Sequence, residues 1–312
     1  MSVKLVTGGA GFIGSHVVRA LLRENEHVRV IDNFSTGHRS NLDEVAHRIE
    51  LIEGDICDEA TAERACKDAS VVYHLAARAS VPRSVKAPRP SNEVNVTGTL
   101  NMLIAARDAG VKNFVYSASS SAYGASQELP KRESQLTLPL SPYAVSKLAG
   151  EHYCASFSAC YGLSTISLRY FNVFGPRQDP KSDYAAAIPA FATRMLSGER
   201  PIVFGDGLQS RDFCYIDNVV QANLKAGATP GLTGQAVNIA CGERISLLDI
   251  IARVNELLGT KLEPVFEPPR AGDARHTMAD YSLATELIGY RPSVMFDEGL
   301  KLALDWYRQT LA

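Results

Sequence analysis

The chain has 312 residues, enough to bury a large core as one large domain or as two of ordinary size. With 46% hydrophobic and 21% charged residues, it has the composition of a folded globular protein and not of a disordered one. Its 32 basic side chains nearly balance 34 acidic ones; the net charge of −2 and the lack of a basic stripe exclude a generic nucleic-acid binder, so any anionic ligand needs individually placed groups.

Met1 leads almost directly into an apolar strand pattern, which leaves no room for a signal peptide, and no apolar run approaches the roughly 20 residues that span a bilayer. The six cysteines, Cys57, Cys66, Cys154, Cys160, Cys214 and Cys241, contain no CxxC pair and no zinc-like spacing. Reduced thiols, a cytoplasmic location, no metal and no membrane partner are the expectations.

From the N-terminus, short β-branched runs at 3–7, 28–32, 49–53, 71–75, 114–117 and 164–168 alternate with helical periodicity at 13–23, 59–66, 97–109 and 143–161. That rhythm predicts an α/β fold, a Rossmann-like doubly wound parallel sheet. After about Asn172, Gly and Pro become frequent and the elements shorten. The expected division is a dinucleotide-binding domain over 1–172 and a smaller C-terminal α/β lobe over 173–312, mainly for substrate, with part of 213–240 returning to the first domain.

Directly after the first strand comes Thr7-Gly8-Gly9-Ala10-Gly11-Phe12-Ile13-Gly14. Glycines there allow a sharp turn and bring a helix N-terminus close to a pyrophosphate. Glycine also serves ordinary turns, but here strand, loop, helix and second strand follow in the required order. The second strand ends at Asp32, whose carboxylate can accept from both ribose hydroxyls and repels a 2′-phosphate, so NAD is expected over NADP. In isolation Asp32 could equally cap a turn. Asp55 and Ile56 follow the third strand where adenine would lie; Leu75, Ala76 and Ala77 stand at the end of the fourth, and His74 beside them reads as structural.

Tyr143 and Lys147 stand four apart in a helical pattern, which puts a phenol and an ammonium on one face. A neighbouring cation is expected to favour the phenolate and make Tyr143 a general base. Any helix can hold such a pair by chance; here the fifth strand also runs into Ser117-Ala118-Ser119-Ser120-Ser121 at the carboxyl end of the sheet, where ligands bind in this architecture. Ser119 is assigned to proton relay, and Ser120 and Ser121 to sugar contacts. Ser80 and Arg83 are placed at the sugar's border.

With Gly8, Gly11 and Gly14 as Gly-x-x-Gly-x-x-Gly and Tyr143 and Lys147 as Tyr-x-x-x-Lys, the chain resembles the extended short-chain dehydrogenase/reductases over essentially its whole length. Asp32-Asn33-Phe34-Ser35-Thr36-Gly37, Arg169-Tyr170-Phe171-Asn172 and Ser210-Arg211-Asp212-Phe213-Cys214-Tyr215-Ile216 look like the UDP-sugar 4-epimerases. The resemblance implies catalysis by Ser119, Tyr143 and Lys147, and adds Asn33, Ser35, Thr36, Gly37, Asn95 and Tyr170 to the NAD site. It implies that Asn172, Arg211 and Arg270 hold the substrate diphosphate, that Asp273 meets the nucleotide ribose, and that the enzyme is a homodimer built on helices 97–109 and 143–161. Those helices' apolar stripes could equally be core.

Related dehydratases and decarboxylases carry an acid after the catalytic Ser or Thr; Ser120 and Ser121 stand there instead, which points to epimerisation through a transient 4-ketone with no net redox change. At the position of Thr277 the family carries a bulky Tyr in enzymes confined to plain hexoses and a small residue where 2-acetamido sugars enter. A small Thr277 permits an N-acetyl group without demanding it; the whole pattern, including Ser119 to Ser121 and Arg211 to Ile216, most resembles the UDP-N-acetylglucosamine 4-epimerases, which makes that sugar nucleotide and its 4-epimer the expected substrates, with UDP-glucose/UDP-galactose and UDP-glucuronate left open. A dehydratase or reductase would lose water or consume cofactor, and a non-enzymatic NAD sensor would lack Tyr143 or Lys147.

Overall fold

The computed structural model describes residues 2–180, 186–268 and 275–311. Seven parallel strands form the central sheet among these residues: β1 (Val3–Thr7), β2 (His27–Asp32), β3 (Ile49–Glu53), β4 (Ala69–His74), β5 (Asn113–Ser119), β6 (Ser164–Tyr170) and β7 (Thr233–Ile239). Their order is β7-β6-β5-β4-β1-β2-β3. This is a Rossmann-like α/β sheet whose order reverses between β4 and β1, and at such a reversal a crevice opens beyond the strands' carboxyl ends.

Both sheet faces are covered, because successive strand residues point to opposite sides. Val6, Val30, Val71, Tyr73 and Val115 lie in one apolar cluster with the Phe12–Arg23 and Ile216–Ala228 helices. Leu5, Ile31, Val72, Phe114 and Tyr116 face the other way, against the Glu59–Cys66, Thr99–Asp108 and Pro142–Tyr161 helices. The first cluster continues without a break into the C-terminal half through Phe174, Phe213, Tyr215 and Phe296.

Two local differences from the sequence expectation have plain causes. β5 runs two residues past Ser117, to Ser119, because Ser117 and Ser119 pair with Leu168 and Tyr170 of β6; ladder hydrogen bonds outweigh the low strand preference of serine. The helix expected over 97–109 begins as a π-turn at Glu93–Gly98 before the α-helix Thr99–Asp108, a feature common beside functional sites.

Beyond β6 the chain forms small pairs: Val173–Phe174 with Cys214–Tyr215, Ser210–Arg211 with Ile245–Ser246, and Ile202–Phe204 with Val265–Glu267. Among the described residues, no helix is long and apolar enough to cross a membrane.

Candidate active site

β1 turns at Gly8, whose φ is +67° and where a Cβ would stand 2.8 Å from the Ala76 backbone. At Gly14 a Cβ would lie 2.1 Å from the Gly8 carbonyl oxygen, so the helix sits directly on the loop. That helix opens at Gly11 with no side-chain cap and no acidic residue in its first turn. Its leading amides and positive dipole end are thus left for an anion, which fits a dinucleotide pyrophosphate.

Asp32 is 7% exposed at the end of β2. Its Oδ2 accepts from the Ala10 amide at 2.9 Å and its Oδ1 from Phe34 at 2.8 Å. Burial raises its pKa, and those two amides oppose the rise. Asp32 therefore does cap the turn, yet each carboxylate oxygen keeps a second lone pair for a hydroxyl. Asn33 Nδ2 donates to Asp55 Oδ2 at 2.8 Å, tying the ends of β2 and β3.

His74 is fully buried, with Nδ1 2.9 Å from Thr7 Oγ1 and Nε2 3.0 Å from Thr99 Oγ1. Burial lowers its pKa to about 3, so it is a neutral pin between β1, β4 and the Thr99–Asp108 helix. Thr7 Oγ1 in turn accepts from the amides of Leu75 and Ala76, fixing the strand end that faces Gly8.

The Pro142–Tyr161 helix starts where Ser141 Oγ accepts from the Ala144 amide and Pro142 occupies the first turn; it ends at Gly162, φ +70°. Tyr143 is anchored by its amide, which donates to Ser84 Oγ at 3.0 Å, and its side chain bonds with Ser119. Ser121 Oγ donates to Ser119 Oγ at 2.8 Å. Lys147, 3% exposed, sits 4.5 Å from the centre of the Tyr116 ring, and Tyr116 donates to the Lys147 carbonyl at 3.1 Å.

The electrostatics differ from the expectation. Burial raises the pKa of Tyr143, and the Ser119 bond only opposes it. Burial also drives Lys147 down to about 7. Desolvation acts on both partners against their charged forms, and at Tyr143 it outweighs the groups that favour the phenolate.

These groups share one cleft of about 1050 Å³. Its wall holds Gly8, Gly11, Phe12, Ile13, Gly14, Asp32, Asn33, Ser35, Thr36, Gly37, Asp55, Ile56, Leu75, Ala76, Ala77, Ser80, Arg83, Ser119, Tyr143, Lys147, Tyr170, Asn172 and Arg211. Four of the sequence-derived residues stand behind the wall. Asn95 Oδ1 accepts from the Arg78 amide at 2.7 Å and its Nδ2 donates to Ser146 at 2.9 Å. Ser120 and Ser121 form the turn after β5, and the Thr277 amide donates to the Ser210 carbonyl at 3.0 Å. Arg270 and Asp273 lie outside the described residues.

Several contributors carry no local signal in the sequence. Asp212, fully buried, accepts from the amides of Cys241 at 2.9 Å and of Gly242 and Ala279 at 3.0 Å. Burial pushes its pKa up to about 7 against those three donors. Its own carbonyl accepts from Asn172 Nδ2 at 2.8 Å, which helps hold Asn172 at φ 29°, a backbone conformation rare for a non-glycine residue. One buried carboxylate thus joins two distant segments, at 241–242 and at 279, to the one that carries Arg211. Ile202, Phe204, Gln209 and Leu247 complete the wall from the C-terminal half.

Comparison with known proteins agrees with this geometry. The NAD dependent epimerase/dehydratase family model matches residues 4–240. UDP-glucose 4-epimerase from Mycolicibacterium smegmatis is 38% identical over 308 residues, covering 97% of this chain and 98% of the relative. The crystal structure of UDP-glucose 4-epimerase with UDP-glucose from Thermotoga maritima is 40% identical, with a TM-score of 0.95 over 99% of this chain and 100% of that one. UDP-N-acetylglucosamine 4-epimerase from Methanobrevibacter ruminantium M1, in complex with UDP-N-acetylmuramic acid, is 38% identical with a TM-score of 0.94 over 99% of each chain. A glycine cradle and carboxylate suited to a dinucleotide, a Tyr-x-x-x-Lys helix beside them and a family match over most of the chain lead to one conclusion: this enzyme belongs to the NAD-dependent epimerase/dehydratase family, and NAD is its cofactor.

Proposed function

We propose that the enzyme is a UDP-sugar 4-epimerase acting on UDP-N-acetylglucosamine and its 4-epimer, with UDP-glucose as a further substrate. The observation that carries this reading is the meeting of Ser119, Tyr143 and Lys147 with the glycine loop in one cleft, without an acid beside Ser119. The acids in the described wall, Asp32, Asp55 and Asp179, gather at the dinucleotide end; Asp179 lies 3.7 Å from His38, next to Gly37.

Tyr143 takes the proton of the 4-hydroxyl through Ser119, and Ser121 orients Ser119. Bound NAD supplies the acceptor and donor of hydride for the same carbon. The protein then has to hold the nucleotide while the 4-keto sugar turns its other face, which we assign to Asn172, Arg211, Arg270 and Asp273; arginine suits the diphosphate through its planar set of donors. Tyr143 returns the proton, and the net result is inversion.

A second reading, UDP-glucuronate 4-epimerisation, is favoured by Arg78 and Arg83. Both line the cleft, and neither has an acidic partner among the described residues. A sugar carboxylate would pair with them. Incubation with UDP-N-acetylglucosamine, UDP-glucose and UDP-glucuronate separately, with chromatographic resolution of the epimers and absorbance for reduced cofactor, tests both readings. We expect fastest conversion of the N-acetylated sugar with no accumulation of reduced cofactor. Preference for the uronate would select the second reading, and loss of water or carboxylate would sink both.

We also propose a homodimer built on the Thr99–Asp108 and Pro142–Tyr161 helices. Ile104 and Val145 remain 37% and 53% exposed on their outer sides, with Leu140 at 63% nearby, an apolar surface of the kind that subunits cover. Light scattering is expected to give twice the chain mass, and half that for the I104D/V145D variant; a monomeric wild type would refute the proposal.

A further inference from the structure

Tyr143, Lys147 and Glu151 follow at four-residue steps along one side of the Pro142–Tyr161 helix. With nothing else in reach, Glu151 would pair with Lys147 and draw its ammonium along the helix, away from Tyr143. β6 prevents this. Arg169 donates from Nε to Glu151 Oε2 at 3.0 Å and from Nη2 to Oε1 at 2.5 Å, so both carboxylate oxygens are engaged. The pair is buried, with Arg169 4% and Glu151 6% exposed, and the guanidinium rests 4.8 Å from the centre of the Tyr123 ring.

The same helix and strand are tied further along, where Thr165 Oγ1 donates to the Cys154 carbonyl at 2.8 Å and lies 2.9 Å from Ser158 Oγ. Tyr170, the next residue after Arg169, lines the cleft from the opposite side of the strand. The ion pair is therefore the contact of this polar seam that lies nearest Lys147.

Titratable neighbours reach Lys147 from each packed element: His74 on β4, Tyr116 on β5, and Cys154 on its own helix. Burial keeps all three neutral, lowering His74 to about 3 and raising Tyr116 and Cys154. Arg78 and Arg83 line the same cleft. On the helix–sheet side, the charged side chains next along that helix face are Glu151, four residues on from Lys147, and Arg169, which binds it.

We propose that Glu151 and Arg169 are positioning residues: by binding each other they hold Glu151 off Lys147 and leave Lys147 to serve Tyr143. This rests on the reading of Tyr143 as the acid–base group. Two readouts on the NAD-loaded enzyme test it: the near-ultraviolet phenolate absorbance against a Y143F reference, and the pH profile of kcat on UDP-N-acetylglucosamine. R169Q frees Glu151, so phenolate formation and the rising limb of kcat are expected to move to higher pH by about half a unit or more. E151Q leaves Arg169 uncompensated and is expected to move both to lower pH. The E151Q/R169Q double variant should return toward wild type, with KM within about threefold throughout.

If a single variant does not fold, R169K replaces R169Q; it keeps the charge but loses the two-pronged grip, and the upward shift should be smaller. Folded variants that leave the phenolate unmoved, or that both move it the same way, would overturn the proposal, since a merely structural role has no reason to give opposite signs. The phenolate readout needs no turnover. Inactivity toward all sugar nucleotides with opposite phenolate shifts would therefore sink the epimerase reading and leave the positioning pair standing.

Discussion

Tyr143→Phe is expected to lower kcat by about three orders of magnitude, within the span general acid–base groups supply, while leaving NAD affinity within about threefold. The ring keeps its place because its position comes from the backbone, through the Tyr143 amide on Ser84 and the Ser141 cap, and not from the hydroxyl. What is lost is the oxygen that, in the proposed mechanism, exchanges the proton through Ser119. Because burial raises the Tyr143 pKa, the base form is scarce at low pH, and wild-type kcat should rise with pH. Steady-state kinetics over a pH series, with calorimetric titration of NAD, checks this. A variant retaining a tenth or more of the wild-type kcat would remove Tyr143 from the chemistry.

Lys147→Met should be inactive and yet more stable than the wild type without cofactor. Lys147 is buried, and its pKa falls from 10.5 to about 7. The unfolded chain binds that proton more readily than the folded one, so below about pH 7 the lysine costs stability in full; the cost fades as pH rises toward 10.5. At about 1.4 kcal/mol per unit, the penalty is on the order of 5 kcal/mol near and below neutrality. Methionine fills similar space without a charge, and its sulfur can rest against the Tyr116 ring as the ammonium does. Thermal melts of both proteins across pH 6 to about 10 should show the largest gain at the acid end. A variant less stable than the wild type at pH 6 would contradict the sign. Stability given up at a site that needs a buried cation is an ordinary cost of function.

The wall of the cleft divides by sequence distance. The residues most legible in the sequence are those whose role is settled within one element and its neighbour. Gly8, Gly11 and Gly14 reveal a strand–turn–helix because a φ of +67° at Gly8 favours glycine and no side chain fits where a Cβ at Gly14 would stand 2.1 Å from a carbonyl oxygen. Tyr143 and Lys147 share a face because a helix repeats every 3.6 residues, and Ser141 with Pro142 marks where that helix begins. Asp32 is visible because the strand before it ends there.

The remaining features depend on contacts between remote segments, and on burial. Periodicity tells which side of a helix is apolar but not which strand it will meet, so the Glu151–Arg169 pair, 18 residues apart, left no mark in the helix pattern. Asp212 looks like one more acid in a motif until its carboxylate is seen collecting amides up to 67 residues away. The direction of the Tyr143 shift could not be had from spacing either, because proximity to Lys147 predicts one sign and desolvation imposes the other. The parallel α/β plan, the glycine loop and the shared face of Tyr143 and Lys147 could be read from the amino-acid order alone, since these are written in local backbone geometry. How deeply that pair is buried, and what Arg211, Asn172 and Lys147 lean on, became definite only when the chain closed, since desolvation and long-range hydrogen bonds exist only in the packed molecule.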